Sequence, residues 1–557
     1  MSAVSERKQV ARTGVPATWL FVLLAACYLL TSSGRIEGGD AGTMYQVTRN
    51  MAEYGTVALR AQFVSVPVQS YPGFLPTRPY AVETASPVYN GRLGYDYSPY
   101  GWGQSLAAMP LYLAGQMLGA LWPWLGPQFL ARMITQLLNA LLLAGAATAL
   151  AAFAHALELS LRVSVGLALV FGFATYVWPY VKTFYSEPAV TLLVLLAALA
   201  LRRYHLSGRA THVFWGGLCF GLSLVFRPTA LLAAPALGVY FLVALRTQGG
   251  SHHLKLRDVL NAVLAGGVGC LPGVLLAGLY SWLRFGSVLS VKYTRMGWDN
   301  PPLNGLYGLL FSPGKGLFMY APVLFLSLGG IILLWRSHRG IALMVSLLCA
   351  TYVLFHAPYS FWTGGWNWGP RFLMPIIPFL LLPAGVLIQD ARSKRAVLLF
   401  ALLATAGLII QAPAVLVNHS RDMIGLSEQY DRFYDKTIYE LPLSPVVRQW
   451  PVAIEVLGRF AGSQAWAQAR RVIATARKGW TQPDVSDDVV AAALTTESEF
   501  IRNNVPDFWW VYLYLAGASP GAIAAAAIAL FLAGVVAAFK VCRRIGVAWE
   551  WTRRVSA

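Results

Sequence analysis

Two carboxylates, Glu37 and Asp40, sit in the stretch "SGRIEGGDAGTMYQ" (33–46), directly after a long apolar run near the start of the chain. A carboxylate fixed where a helix leaves the membrane can take a proton from an attacking hydroxyl, and positioned general bases contribute roughly 10²–10⁴-fold to a rate. Gly38 and Gly39 precede Asp40 and let the backbone turn sharply there. The following "AGTMYQVTRNMAEYG" reads as a helix ending at Gly55. Capping that helix is the alternative role for Asp40, because a carboxylate satisfies free backbone N–H groups, and capping is compatible with catalysis.

Other residue types suited to binding an anion cluster at similar boundaries. Lys182 and Glu187 flank "TFYS" at the end of an apolar segment, close enough to share a reaction centre or to pair. Ionisable groups at membrane depth are expensive and mark function by default. Arg227, Arg284, Lys292, Arg295, Lys315 and Arg371 are further cations expected on the same face, and Asp96 and Glu37 are the acidic rivals to Asp40. "YSFWTGGWNWGPRF" (359–372) sets Trp362, Trp366 and Trp368 ahead of Arg371. An interfacial aromatic belt explains the tryptophans, and stacking of Trp366 on a sugar is the sharper reading. Together these cations could hold a phosphate, since charge-assisted bonds strengthen where the dielectric is low.

Several motifs fail on inspection. "SPGKG" (312–316) lacks the glycine spacing of a nucleotide loop, and "DVSDD" (484–488) reads as solvated surface. Cys27, Cys219, Cys270, Cys349 and Cys542 have no paired or metal-ligand spacing. No metal ligand set is assigned, and a divalent ion stays open. "LAAC" (24–27) resembles a lipoprotein cleavage box, but apolar residues continue beyond Cys27 as in an uncleaved anchor.

The elements that must position these residues are membrane helices. The 557-residue chain is 57% apolar and 12% charged, against about 25% charged residues in soluble domains. The net charge of +19 comes from short Lys/Arg clusters between apolar runs rather than one basic domain, which argues against nucleic acid and for membrane orientation. Apolar runs fall near 17–34, 129–152, 163–181, 187–202, 213–227, 229–246, 258–282, 318–335, 340–356, 372–389, 396–417 and 509–540, and an ambiguous one spans 103–122.

Treating 103–122 as interfacial leaves the basic turns 202–209, 246–257, 336–339, 390–395 and 540–554 on the cytoplasmic side. The expectation is an all-α polytopic membrane protein of about twelve transmembrane helices, within 11–13. Both termini are then cytoplasmic, and the long connections face outward: 35–128, 283–317, 357–371 and 418–508. The expected organisation is a transmembrane catalytic module over 1–417, a small extracytoplasmic segment over 418–508, and a last helix with basic tail over 509–557.

The Asp40 stretch, "YSPYGWGQSLAAMPLYLAG" (97–115), "YVKTFYSEPAVTLLVLL" (180–196) and "NWGPRFLMPIIPFLLLP" (367–383) occur in an order that resembles the GT-C superfamily of membrane glycosyltransferases. The resemblance is to the branch of protein O-mannosyltransferases and aminoarabinose transferases and covers roughly residues 15–420. Asp40 is followed by Ala41 where the mannosyltransferases carry a second acid.

The resemblance implies a plasma-membrane enzyme that transfers a sugar from a polyprenyl-phosphate donor to a lipid, glycan or protein acceptor on the outer face. It further implies interfacial helices in the first outer loop. The leaving-group chemistry agrees: departing phosphate is a stabilised anion, so the second carboxylic acid a glycosidase needs is dispensable. Asp40 alone can serve as base, with Lys182, Glu187, Arg284, Lys292, Arg295, Lys315, Arg371, Trp366 and Asp96 as substrate-binding residues. If so, Asp40, Lys182, Glu187 and Arg371 should converge on one outer-facing cavity within about 10–15 Å, the reach of direct contacts to one phosphosugar. A transporter or flippase is the competing class, disfavoured by the lack of matched halves.

Overall fold

The computed structural model describes residues 15–36, 39–59, 89–90, 96–122, 125, 127–248, 255–289, 297–390, 394–430, 433–462, 467 and 505–556. Glu37, Lys292, Arg295 and "DVSDD" lie outside these residues, as does most of 463–504. Asp96 is placed only as backbone.

The described chain is helical except for three two-residue strands. Ala58–Leu59 and Tyr89–Asn90 flank Asp96–Tyr97, antiparallel on both sides. Among the described residues, eight helices are long and apolar enough to cross a membrane: Phe129–Ala156, Glu187–Ser207, Pro228–Thr247, Leu256–Phe285, Arg339–His356, Arg371–Asp390, Lys394–Leu416 and Pro520–Gly546. Four shorter apolar helices, Ala17–Leu30, Leu161–Phe173, Ala210–Phe226 and Pro322–Ser337, occupy the remaining apolar runs of the sequence.

The chain is therefore an all-α polytopic membrane protein. Its last apolar run is broken, contrary to the single helix expected over 509–540. Trp509–Leu515 ends before Gly517, whose φ is +93°, and Pro520 starts a new helix. Gly103–Leu121, the ambiguous segment, is a 19-residue helix interrupted by Pro110 and packed against Pro127–Gln136.

Helix pairing follows from small residues. Ala210–Phe226 and Leu256–Phe285 approach so closely that a Cβ on Gly273 would lie 2.0 Å from the Gly221 carbonyl carbon. Gly217 and Gly269 make the same kind of approach, which is how helices in lipid gain van der Waals contact without a hydrophobic driving force. The main core gathers buried Leu, Ala and aromatic side chains from most of these helices, including Phe153, Phe171, Tyr176 and Phe379.

The helix Gly39–Tyr54 is pinned above this core. Ala41, Met44 and Tyr45 bury against Ala108, Tyr112 and Phe184. Ser105 Oγ donates to the Met44 carbonyl at 2.7 Å, and Asn50 Nδ2 donates to Ala58 O at 2.8 Å. Asp40 lies in the first turn, where the helix dipole favours an acid, rather than outside it as a cap. Gly55 ends the helix with φ +64°, as the sequence suggests.

Candidate active site

Four charged residues, all at helix ends, meet at one end of the bundle. Arg371 opens a 3-10 turn after Pro370, Glu187 begins the helix Glu187–Ser207, and Arg227 closes Ala210–Phe226 in extended conformation before Pro228. Arg371 Nη2 lies 2.8 Å from Asp40 Oδ2, and its Nε lies 3.7 Å from Glu187 Oε1. Arg227 Nη1 donates to the same Glu187 oxygen at 2.6 Å. The series Asp40–Arg371–Glu187–Arg227 thus alternates in sign.

Burial makes this arrangement consequential. The side chains of Arg371 and Glu187 are 4% and 2% exposed, while Asp40 is 21% exposed. Two charges removed from water need strong mutual and hydrogen-bonded compensation, and deleting one partner is strongly destabilising. The rings of Tyr185 and Phe372 lie against the Arg371 guanidinium at 4.9 Å each, and Phe372 also meets Arg227 at 5.0 Å. Glu187 Oε2, Arg371 Nε and the Tyr180 hydroxyl are buried without a hydrogen-bond partner. Polar capacity therefore remains beside the ion pairs that no described residue takes up.

Tyr100 makes a second contact with Asp40. Its hydroxyl donates to Asp40 Oδ1 at 2.8 Å, opposite the oxygen held by Arg371. Arg284 supports Tyr100 from behind by donating to Ser98 O at 2.6 Å and stacking over Tyr280 at 4.0 Å. Tyr280 in turn stacks on Trp102 at 4.9 Å. Arg284 is thus tied to the loop that presents Tyr100.

The loop ahead of Arg371 is shaped by Gly364. Its φ of +72° is the left-handed region, and a Cβ there would lie 2.9 Å from Arg371 Nε. Trp362 and Trp368 of this loop are buried, and Trp366 is half-buried. Trp368 is buried and donates to Gln411 at 2.7 Å, Trp362 fills the space over Gly308, and Trp366 meets Phe433 edge-on at 5.4 Å. The helix Phe433–Tyr439 lies against this loop through Phe433 and Tyr434.

Lys315 lies under the same loop, donating to Gly365 O at 2.8 Å and to Asn367 O. Burial, with Arg371 as a second cause, pushes its ammonium well below the ordinary lysine value. Tyr434 reaches Gly365 O as well, at 2.7 Å, so one carbonyl joins the loop to the segment after the last core helix.

Lys182 goes elsewhere. Its Nζ lies 3.1 Å from Asp507 Oδ2, donates also to the Asp507 carbonyl, and sits over the Phe508 ring at 4.7 Å. Tyr512 donates to Asp507 Oδ1 at 2.7 Å and accepts from Arg35 Nη1 at 3.0 Å. Burial alone would raise the Asp507 carboxyl, but Lys182 and Arg35, with the Tyr512 hydroxyl, hold it below the usual carboxylate range. Asp40 and Glu187 thus both meet Arg371, while Lys182 pairs with Asp507, the acid buried beside it.

Asp507 and Tyr100 escaped the sequence reading as partners. Asp507 had an available signal, an acid in "VPDFWW" at the start of an apolar run, the same criterion that singled out Lys182. Among the described residues no group of three or more His, Cys, Asp or Glu is placed to hold a metal ion.

The fold and this site define a class, an integral membrane protein with a buried alternating charge series at one end of its helices. No family model matches the chain, and no curated protein matches it. Among solved structures, the crystal structure of ArnT from Cupriavidus metallidurans in the apo state is similar over 93% of this chain and 78% of that one, with a TM-score of 0.41 and 15% identity.

Proposed function

We propose that the chain is an inverting glycosyltransferase that moves a sugar from a polyprenyl-phosphate donor to a lipid, polysaccharide or protein acceptor. The reading assigns catalysis to the module 1–417 and to the extracytoplasmic face, with both termini cytoplasmic. The observation that carries it is the Asp40–Arg371 pair, a part-exposed carboxylate bound to a buried guanidinium. This is the minimum set the transfer needs, a base for the acceptor and a cation for the leaving phosphate.

In the proposed step the acceptor oxygen attacks the anomeric carbon from the side opposite the phosphate. The new C–O bond forms as the bond from anomeric carbon to phosphate oxygen breaks. The acceptor proton passes to Asp40, and the electron pair leaves with the phosphate, whose charge Arg371 receives. Asp40 takes the proton only once Arg371 has turned from it toward the phosphate, so donor binding and base release are one event. Glu187 keeps Arg371 oriented throughout that turn, and Arg227 holds Glu187 in place.

The test is a panel of labelled polyprenyl-phosphate sugars offered to the full chain in lipid nanodiscs, with Asp40→Asn beside the wild type. Transfer by the wild type, reduced about 10²–10⁴-fold in the variant, is expected. Undiminished turnover by Asp40→Asn would remove Asp40 from the reaction.

A further inference from the structure

The helix Pro445–Phe460 lies in the segment the sequence assigns to a soluble cap, and its surface divides into three arcs at 3.6 residues per turn. Gln449, Val452, Ala453, Val456 and Phe460 face the protein and are buried. Arg448, Glu455 and Arg459 form a neighbouring charged arc. Arg448 pairs with Asp422 at 2.7 Å, and Glu455 pairs with Arg421 at 3.1 Å and Arg459 at 2.6 Å. The remaining arc carries Val447, Ile454 and Leu457, which are 45%, 66% and 37% exposed, with Trp450 among them.

What lies beside that apolar arc is a membrane span. Trp450 Nε1 donates to the Ile409 carbonyl of Lys394–Leu416 at 3.0 Å. In an α-helix that carbonyl would accept from the residue four further on, which is Pro413 and has no N–H. Trp450 therefore supplies the hydrogen bond that Pro413 withholds, at a place where lipid could not supply it. Ile409 lies seven residues before Leu416, about 10 Å along the helix axis at 1.5 Å per residue. Ile409 is 52% exposed, in line with Leu402 at 58% on the outward surface of the span.

We infer that Pro445–Phe460 is an interfacial helix embedded in the lipid leaflet at the active-site end, with the Val447–Ile454–Leu457 arc against acyl chains and the Arg448–Glu455–Arg459 arc at the headgroups. Continuity with the exposed face of Lys394–Leu416 carries the assignment to lipid. An amphipathic helix of this kind sits about 5–10 Å into the headgroup and acyl boundary, the depth Ile409 marks. The polar arc is then level with the membrane surface, and the segment that follows Val417 is held down rather than free above the bilayer.

Nitroxide accessibility tests this independently of any enzymatic activity. With the five native cysteines replaced, single labels at Ile454→Cys, Leu402→Cys and Arg459→Cys are read in nanodiscs holding one copy of the full chain. The ratio of oxygen to nickel-chelate relaxation at 454 should match 402 and exceed 459 several-fold. A ratio at 454 equal to that at 459 overturns the inference. So does protection at 454 seen only in discs holding two copies or with added membrane proteins, which would make the arc a protein interface.

Discussion

Arg371 Nε stands 3.7 Å from Glu187 Oε1 while Arg371 Nη2 contacts Asp40 at 2.8 Å, so one buried guanidinium spans two carboxylates. Glu187 touches no substrate in the proposed reaction and acts through Arg371, which makes it a positioning residue. Glu187→Gln keeps the shape but removes the charge, and hydrogen bonds to charged groups are worth about 1.5–3 kcal/mol. The expected result is a rise of roughly ten- to a hundredfold in donor KM with a smaller fall in kcat, and rescue by Glu187→Asp in part. An unchanged KM would show that Arg371 needs no such partner.

Tyr100 holds the other oxygen of Asp40 at 2.8 Å. Tyr100→Phe removes one neutral donor, worth about 0.5–1.5 kcal/mol, so kcat should change by no more than about tenfold while donor KM is kept. The contrast with Asp40→Asn separates orientation of the base from the base itself. Steady-state kinetics with a lipid-linked sugar checks it, and a loss as large as that of Asp40→Asn would assign the Tyr100 hydroxyl a direct part in proton transfer.

Much of the site was legible because membranes make certain residues conspicuous. Asp40, Glu187 and Arg371 are ionisable groups at the ends of apolar runs, and the energetic penalty of charge at such depth flags them one at a time. Sequence distance hid the pairing. Glu187 lies near Lys182 in the chain, yet helix packing gives Glu187 to Arg227 and Arg371, and Lys182 to Asp507. The tryptophan contacts were hidden too: "GGWNWGPR" does not tell which rings bury, and the fold sets Trp368 on Gln411 and the half-buried Trp366 against Phe433. Likewise the broken last helix turns on Gly517 and Pro520, which a search for apolar length passes over.

Gly364 offers a test of how tightly Arg371 is held. A side chain there meets two obstacles, a φ of +72° and a Cβ position 2.9 Å from Arg371 Nε. The left-handed conformation costs about 1–2 kcal/mol for a residue with a Cβ. Displacement of the guanidinium adds to this through the Asp40 contact. Gly364→Ala should weaken donor binding more than it lowers the melting temperature, as measured by kinetics beside thermal unfolding in detergent. A variant with wild-type KM would mean that the loop adjusts without moving Arg371.

The pair formed by Lys182 and Asp507 predicts a pH dependence of stability. Asp507 has its folded-state pKa held below the ordinary value of 3.8, mainly by Lys182 and Arg35 acting against burial. A depressed carboxyl contributes stability that is fully present above the unfolded pKa and lost as pH falls through the folded one. Breaking a buried pair by removing one charge is worth about 3–5 kcal/mol, and Lys182 and Asp507 are 6% and 9% exposed. Asp507→Asn should therefore lower the melting temperature clearly at pH 7, and the gap to wild type should narrow only below the ordinary carboxylate range. Lys182→Met should lower it as well, because Asp507 then stays buried without the ammonium that pairs with it, and combining the two changes should lower it by less than their sum. Melting curves of wild type and the three variants between pH 3 and pH 8 decide the matter. Additive losses, or a gap that persists unchanged into acid, would show that the contact at 3.1 Å adds nothing to the anchoring of the segment that begins at Val505.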